Sequence, residues 1–265
     1  YMIHLNKSKI QSSPGWKINT DLFFCLLFLI VGIFFRLYRI SQESISLEEY
    51  ACIANLNLQS VFHFIEEQRN TYPYGGILFP LFQYLWGKCL GTGIVSIRLF
   101  SICIWIGFYL MFWVSSKKLE RQGKLPDGTN ILISIGLALS PALIFIGQEA
   151  RMYMAYLLLV WGSFFLFMKV IDNFPNNRTI ALWILVNQML LWTHHIGVII
   201  WATEFLLLIA VQYKKKSYIK KTISLIFIHC IFLIPWFVWI LTIPPQPQEL
   251  HRYYLKPSFW ELLSF

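Results

Sequence analysis

A cluster of polar and charged residues lies between two long apolar runs of the sequence. The segment IGQEARMYMAY contains Gln148, Glu149 and Arg151, and it is flanked by the apolar runs 131–147 and 152–171. Ionisable residues at membrane depth are costly and usually functional. Glu149 and Arg151 are two positions apart, so on a helix they do not face each other and each needs a further partner. The spacing favours a binding or catalytic site over a local ion pair.

Carboxylates beside arginines suit the transfer of a group from a phosphate to a hydroxyl. A carboxylate can take the proton of an attacking hydroxyl, and arginines can hold a phosphate through bidentate, charge-assisted hydrogen bonds. Other candidates of these types stand at the ends of apolar runs: Arg36 and Arg39, then Glu48 and Glu49, and finally His194 and His195. We predict that these side chains converge on one site.

Each of these signals has a simpler interpretation when it is taken alone. Glu48 and Glu49 fit a solvated helix start, where negative charge complements the helix dipole. Arg36 and Arg39 fit side chains that extend towards lipid headgroups, and the two histidines fit an interfacial turn. Glu204, inside a later apolar run, fits a polar contact between helices. A shared function is favoured only if the two glutamates, the two arginines and the two histidines reach the same face of the membrane.

The composition predicts a polytopic helical membrane protein. Hydrophobic residues make up 57% of the 265 residues, charged residues only 13%, and the mean hydropathy is +0.58. This is too apolar for a soluble domain of that length. The net charge is +9, but the basic residues fall in short clusters between apolar runs, so membrane topology explains them better than nucleic-acid binding. The five cysteines show no paired spacing and predict neither a disulfide nor a metal site.

The apolar runs predict seven membrane spans with the N-terminus in the cytoplasm. The run 76–90 is short and interrupted by Gln83 and Lys88, so we place it in the membrane interface as an amphipathic helix. This choice puts 14 of the 22 basic residues on the cytoplasmic side, in agreement with the positive-inside rule. The remaining runs are the expected spans: about 21–40, 97–114, 131–147, 152–171, 180–195, 196–212 and 222–243.

This topology divides the chain into three parts. Residues 1–20 form a cytoplasmic segment, residues 21–243 form the transmembrane module, and residues 244–265 begin an outer loop at which we expect the chain to be truncated. Within the module, the loop 41–96 lies outside the membrane and carries interfacial helices. All the candidate site residues then reach the outer face, whereas the plain lysine clusters reach the cytoplasmic face.

The order of these segments resembles the polytopic glycosyltransferases of the GT-C fold. It is most similar to the family 39-like set, which contains the bacterial relatives of protein O-mannosyltransferases and aminoarabinose transferases. FRLYRISQESISLEEYACIA is similar to that family's first-span end and acidic pair, and LALSPALIFIGQEARMYMAY to its SP…QEARMY segment. NTYPYGG takes the place of an Asp-x-His-Pro-Pro motif, and THHIG matches a position where a His precedes an aromatic residue and a Gly. The resemblance covers about residues 25–265.

The resemblance implies a GT-C-type bundle of about seven transmembrane helices that transfers a sugar on the outer face of a bacterial plasma membrane. The implied partners are a polyprenyl-phosphate sugar donor, membrane lipids and a hydroxyl acceptor on a glycolipid, polysaccharide or protein, with no nucleic acid. The residues carried over are Glu48 as general base with Glu49 orienting or replacing it, Arg151, Arg39 and Arg36 on the donor phosphate, and Gln148, Glu149, Tyr153, Tyr72, His194 and His195 lining the pocket.

Two departures from the family pattern leave an alternative open. The first acidic position is usually Asp and is Glu48 here, and the His-Pro-Pro motif reads Tyr72-Pro73-Tyr74. Outward-facing glutamates could hold a divalent cation, although no ligand spacing argues for a metal site. The alternative is a catalytically inactive relative that binds a lipid phosphate or acts as a scaffold subunit of a membrane complex.

Overall fold

The computed structural model describes residues 14–42, 44–71, 76–173, 177–215 and 219–242, and every regular element within these ranges is an α-helix. The helices are, in chain order, α1 (Pro14–Leu37), α2 (Leu47–Ile53), α3 (Val61–Thr71), α4 (Leu78–Leu90), α5 (Ile94–Arg121), α6 (Thr129–Leu139), α7 (Pro141–Gln148), α8 (Tyr153–Asn173), α9 (Asn177–Thr193), α10 (Gly197–Lys215) and α11 (Ile219–Leu241).

Three of the described helices are long and apolar enough to cross a membrane. They are Thr20–Leu37 within α1, Ile94–Arg121, which is α5, and Tyr153–Ile171 within α8. The pair α6 and α7 gives a fourth if it is counted as one broken span, and Gly197–Val211 and Phe227–Leu241 are shorter apolar helices. The prediction of an all-helical protein with membrane-spanning helices is confirmed at this level for the described ranges. The seven-helix GT-C bundle remains a prediction.

The break between α6 and α7 follows from Pro141. The two helices are bent by 53°, and Ser140 caps α7 by accepting a hydrogen bond from Leu143 N. Because proline has no N–H, the carbonyl of Leu137 loses its helical partner, and the end of α6 carries further unpaired carbonyls. Arg36 supplies the missing donors, with bonds of 3.2 Å to Leu137 O and 3.3 Å to Ala138 O. A side chain of α1 therefore satisfies the carbonyl groups that the break leaves unpaired.

Arg36 is fully buried in this position. Its guanidinium lies 3.6 Å from the ring centroid of Trp105, and it also donates to Gly32 O at 2.9 Å. A Cβ atom at Gly147 would lie 2.7 Å from Arg36 Nε, so the absence of a side chain there makes room for the guanidinium. The aromatic face and the negative end of the α6 dipole both favour a cation at this point.

Helix α8 connects two packed halves of the bundle. On one side its Trp161 stacks on Phe112 of α5, with ring centroids 3.8 Å apart. On the other side its Phe167 stacks on Trp183 of α9, with centroids 5.9 Å apart. Helices α1, α5, α6 and α7 form one half, and α9, α10 and α11 form the other.

Besides the contacts of Arg36, a cluster of polar residues lies at the C-terminal end of α5. Lys117 pairs with Asp21 of α1 and, at 3.3 Å, with Glu120. Glu120 is buried, and its second oxygen accepts a hydrogen bond of 2.8 Å from Asn130 N in the first turn of α6. This group ties α1, α5 and α6 together and contains no residue of the predicted site.

Candidate functional site

Glu49 is the centre of a buried polar cluster. The N-cap residue Ser46 starts α2, and its hydroxyl accepts a hydrogen bond of 3.1 Å from Glu49 N. The cap fixes the first turn of the helix, from which the Glu49 side chain enters the protein with 1% of its surface exposed. Arg98 Nε and Nη2 donate to the two carboxylate oxygens of Glu49, each at 2.8 Å. The result is a bidentate ion pair that is shielded from solvent.

Arg98 of α5 was not among the predicted site residues. Its hydrogen bonds connect α5 with α2 and with the segment that follows α1. Besides Glu49 of α2, it donates to Ile40 O at 2.7 Å and to Ser44 O at 3.2 Å, in the segment that follows α1. The sequence carried a signal for it, because an arginine at the start of the apolar run 97–114 is costly without a specific partner.

The turn from Glu149 to Met152, between α7 and α8, is held by the same cluster. Ala150 N donates to Glu49 Oε1 at 2.8 Å, and Ala150 O accepts from Gln83 Nε2 of α4 at 2.9 Å. Side chains therefore satisfy both backbone groups of Ala150 in place of a helical turn. This explains how the helix can stop at Gln148 and restart at Tyr153. We call Glu49, Arg98, Gln83 and Ala150 the Glu49 cluster.

Glu149 and Arg151 pair with each other, in contrast to the expectation from their spacing. Arg151 Nη1 lies 3.4 Å from Glu149 Oε2, because the segment between them is a turn and not a helix. Arg151 Nη2 also donates to Tyr153 Oη at 2.6 Å, and its guanidinium carbon lies 4.4 Å from the Tyr153 ring centroid. The side chains of Glu149 and Arg151 are 12% and 13% exposed, so this pair is more accessible than the Glu49 cluster.

The surroundings of Glu149 favour proton binding. Burial raises the pKa of the Glu149 carboxyl, and the negative charge of Glu49 raises it further, whereas Arg98 lowers it. A carboxylate with a raised pKa is a better proton acceptor than an ordinary exposed carboxylate.

His194 and His195 follow the end of α9, beside the aromatic residues of α8. The ring centroid of His194 lies 5.6 Å from that of Tyr156 and 6.3 Å from that of Tyr153. His194 Nδ1 accepts a hydrogen bond of 3.2 Å from Ile196 N. Burial, with a smaller effect from His195, lowers the pKa of His194 to about 4, so the ring is neutral at pH 7. His195 is exposed. Tyr153 therefore lies between Arg151, which donates a hydrogen bond to its hydroxyl, and the ring of His194.

The chain that precedes α4 docks beside the same histidine. Tyr72 lies outside the described residues, as do residues 73–75. A Cβ atom at Gly76 would lie 2.0 Å from Trp192 O and 2.6 Å from Thr193 C, so no other residue fits without a shift of the backbone. Gly76 is therefore packed against the backbone of Trp192 and Thr193, the two residues that precede His194.

Three of the predicted residues do not lie with Glu149, Arg151 and His194. Arg36 is occupied by the α6 carbonyls and Trp105, as described above. Gln148 donates to Phe35 O at 3.1 Å and to Tyr38 O at 2.9 Å, so it closes the C-terminal end of α1. Arg39 follows that end in the left-handed backbone region, with φ of 58°, and its side chain is exposed. Glu48 lies in the first turn of α2, and its side chain is outside the described part of the structure.

The arrangement combines a rigid support with an accessible polar group. The Glu49 cluster immobilises a non-helical turn, and that turn carries Glu149, Arg151 and Tyr153 next to neutral His194. Together they offer a proton-accepting carboxylate and an anion-binding guanidinium within one short segment. In the part of the chain that the structure describes, no group of three or more His, Cys, Asp or Glu side chains could hold a metal ion.

Comparison of the chain with protein-family models, with curated proteins and with solved structures found no match.

Proposed function

We propose that this protein is an integral-membrane glycosyltransferase of the GT-C type. It transfers a sugar from a polyprenyl-phosphate donor to a hydroxyl acceptor on the outer face of a bacterial plasma membrane. The observation that carries the proposal is the fixed, non-helical turn at QEARMY, which presents Glu149, Arg151 and Tyr153 beside His194. The resemblance of this segment to the family 39-like enzymes supplies the reaction type.

Arg151 is the residue we assign to the donor phosphate. Its present carboxylate partner, Glu149, is 3.4 Å away and the pair is partly exposed, so a phosphate can replace that contact with shorter, bidentate bonds. As the bond from the acceptor oxygen to the sugar C1 forms, the bond from C1 to the phosphate oxygen breaks. The leaving polyprenyl phosphate keeps that electron pair, and Arg151 stabilises its charge.

The acceptor proton requires a carboxylate base. The family resemblance assigns this role to Glu48, whereas the raised pKa and partial exposure make Glu149 a second candidate. Glu49 orients and does not react in this scheme, because both of its oxygens are engaged by Arg98 and one also by Ala150 N. Exchange of Glu48 and of Glu149 for glutamine, one at a time, separates the two candidates by their effect on transfer.

The membrane topology is part of the proposal. A donor with a long isoprenoid tail stays in the bilayer, which accounts for a sugar enzyme of this hydrophobicity. With seven spans and the lysine clusters in the cytoplasm, the QEARMY turn faces outward together with the end of α1 and the end of α9.

The first test is native mass spectrometry of the gently solubilised protein. We expect a co-purified polyprenyl phosphate in the wild type and its loss in Arg151→Ala. Arg121→Ala is the matched control, because Arg121 is an exposed arginine at the far end of α5, and that variant retains the lipid. A retained sugar would identify the donor.

The opposite result favours the alternative function. If only bulk phospholipid is found, in equal amounts in all three proteins, the donor site is wrong. If the polyprenyl phosphate binds but Glu48→Gln and Glu149→Gln both keep full glycan output at equal protein level, the chain is an inactive, lipid-binding or scaffold relative.

A further inference from the structure

The three glutamates that are buried in the described ranges differ in their partners. Glu49 shares two hydrogen bonds with Arg98, and Glu120 pairs with Lys117. Glu204 of α10 is 5% exposed, and all the partners of its carboxyl in the structure are neutral groups. One of the three therefore lacks the cation that the other two have.

The neutral partners of Glu204 come from two neighbouring helices. Ser163 Oγ of α8 lies 2.9 Å from one carboxyl oxygen and 2.7 Å from the other. Trp183 Nε1 and Asn187 Nδ2, both of α9, lie 2.8 Å and 3.1 Å from Oε2. Asn187 also donates to Ser163 Oγ at 2.8 Å. The group is a polar network between three helices, α8, α9 and α10.

Among the side chains that the structure describes, none supplies a cation to this network. Lys169 of α8 lies six positions beyond Ser163 and contacts the ring of Phe165, and Arg178 of α9 is exposed at the start of its helix. Between Gly197 and Val211 of α10, Glu204 is the only ionisable residue.

His229 of α11 lies beside the network, and its surroundings favour the neutral imidazole. It is fully buried, with its ring 4.7 Å from that of Phe205 and 5.4 Å from that of Trp183. Neither of its ring nitrogens has a hydrogen-bond partner among the described residues. A protonated imidazole there would bury a charge and two unmet donors.

The geometry at Ser163 fits a protonated carboxyl group. A serine hydroxyl has one hydrogen and can make only one linear hydrogen bond with it, yet both oxygens of Glu204 lie within 2.9 Å of Ser163 Oγ. The second contact is satisfied if Glu204 carries the proton and donates it to Ser163 Oγ. A neutral acid also avoids the cost of an unpaired charge inside a helical bundle.

Glu204 also lines a groove of about 420 Å³ between α8 and α10. Thr203 is the other polar residue in its wall, and the remaining lining is apolar or aromatic: Val160, Trp161, Phe164, Phe167, Ile200 and Leu207. Phe164 and Leu207 are exposed on the outside of the bundle, where a membrane-inserted chain meets lipid. The groove brings small apolar molecules next to the Glu204 side chain.

We propose that Glu204 is a proton-binding site within the bilayer, separate from the Glu49 cluster and open to apolar carboxyl-reactive molecules through this groove. The inference rests on membrane insertion and not on glycosyl transfer. A hydrophobic carbodiimide reports on it directly. The carboxyl proton moves to a carbodiimide nitrogen while the carboxylate oxygen bonds to the central carbon, and the O-acylisourea rearranges to an N-acylurea that keeps every atom of both reactants.

The experiment treats the full chain in lipid vesicles with N,N′-dicyclohexylcarbodiimide and maps the adducts by mass spectrometry. We expect an adduct at Glu204 and none at Glu49 or Glu120, which serve as internal controls because each has a basic partner. The labelled fraction falls as the pH is raised and the site loses its proton. A water-soluble carbodiimide labels exposed Glu66 and leaves Glu204 unmodified.

Two variants check the assignment. Glu204→Gln abolishes the adduct, whereas Thr203→Val, a neutral change in the same groove, retains it. The proposal is overturned if Glu204 of the wild type stays unmodified, if Glu49 and Glu120 react equally, or if labelling is independent of pH. Native mass spectrometry of the donor lipid is unaffected by these outcomes, so this proposal and the glycosyltransferase assignment fail separately.

Discussion

Glu49 and Glu204 are buried to a similar degree, at 1% and 5% exposure, yet they have opposite surroundings. Glu49 faces a guanidinium in bidentate geometry and also accepts a backbone N–H, so its negative charge is matched. Glu204 faces a hydroxyl, an indole and an amide, none of which carries a charge. The partners, and not the depth of burial, decide which carboxyl holds segments together by its charge and which exchanges a proton.

The largest effect we expect is from removal of Arg98. Arg98→Met leaves the carboxylate of Glu49 buried without a counter-ion and frees the segments that Arg98 gathers. Loss of one partner of a buried ion pair costs about 3 to 5 kcal/mol. Thermal or chemical unfolding in detergent micelles measures the free energy of unfolding. The double variant Glu49→Leu with Arg98→Met recovers part of that loss, since no charge is left unpaired. A single variant within about 1 kcal/mol of the wild type would contradict the charged pair.

Glutamine at the two positions sharpens the comparison. Glu49→Gln keeps one oxygen acceptor but places an NH2 group against one Arg98 donor, so one hydrogen bond to a charged group, worth about 1.5 to 3 kcal/mol, is lost. Glu204→Gln keeps an oxygen for Trp183 and offers an N–H to Ser163, as the protonated acid does. We expect it to cost less than about 1 kcal/mol. Equal losses in the same unfolding assay would mean that Glu204 is charged.

The sequence predicted that polar residues separate two apolar helices near position 150, but not which contacts these residues make. Hydropathy predicted an all-helical chain with membrane-spanning helices, but not the 53° bend that divides the run 131–147 into α6 and α7. The Glu49–Arg98 pair joins residues 49 positions apart, and its formation depends on how α2 and α5 pack, which no local pattern specifies. Arg36 and Arg39 look alike in the sequence. They differ in the structure because glycine at position 147 and the α6 break make a place for Arg36 alone.

The smallest effect we expect at neutral pH concerns His194, which, like Glu204, is buried without a counter-charge, because its contribution to stability changes only as the pH falls. Its pKa is about 4 in the folded protein and 6.5 when exposed. Between these values the unfolded chain binds a proton that the folded chain does not, so stability is complete above pH 6.5 and declines as the pH falls towards 4.

His194→Gln removes this part of the decline, whereas His63→Gln, at a half-exposed histidine of α3, leaves it. Unfolding midpoints of the three proteins, followed from pH 7.5 down to about 4, measure the difference. Parallel curves would show that folding does not change the proton affinity of His194, and then Glu204 would be the better example of a neutral buried group.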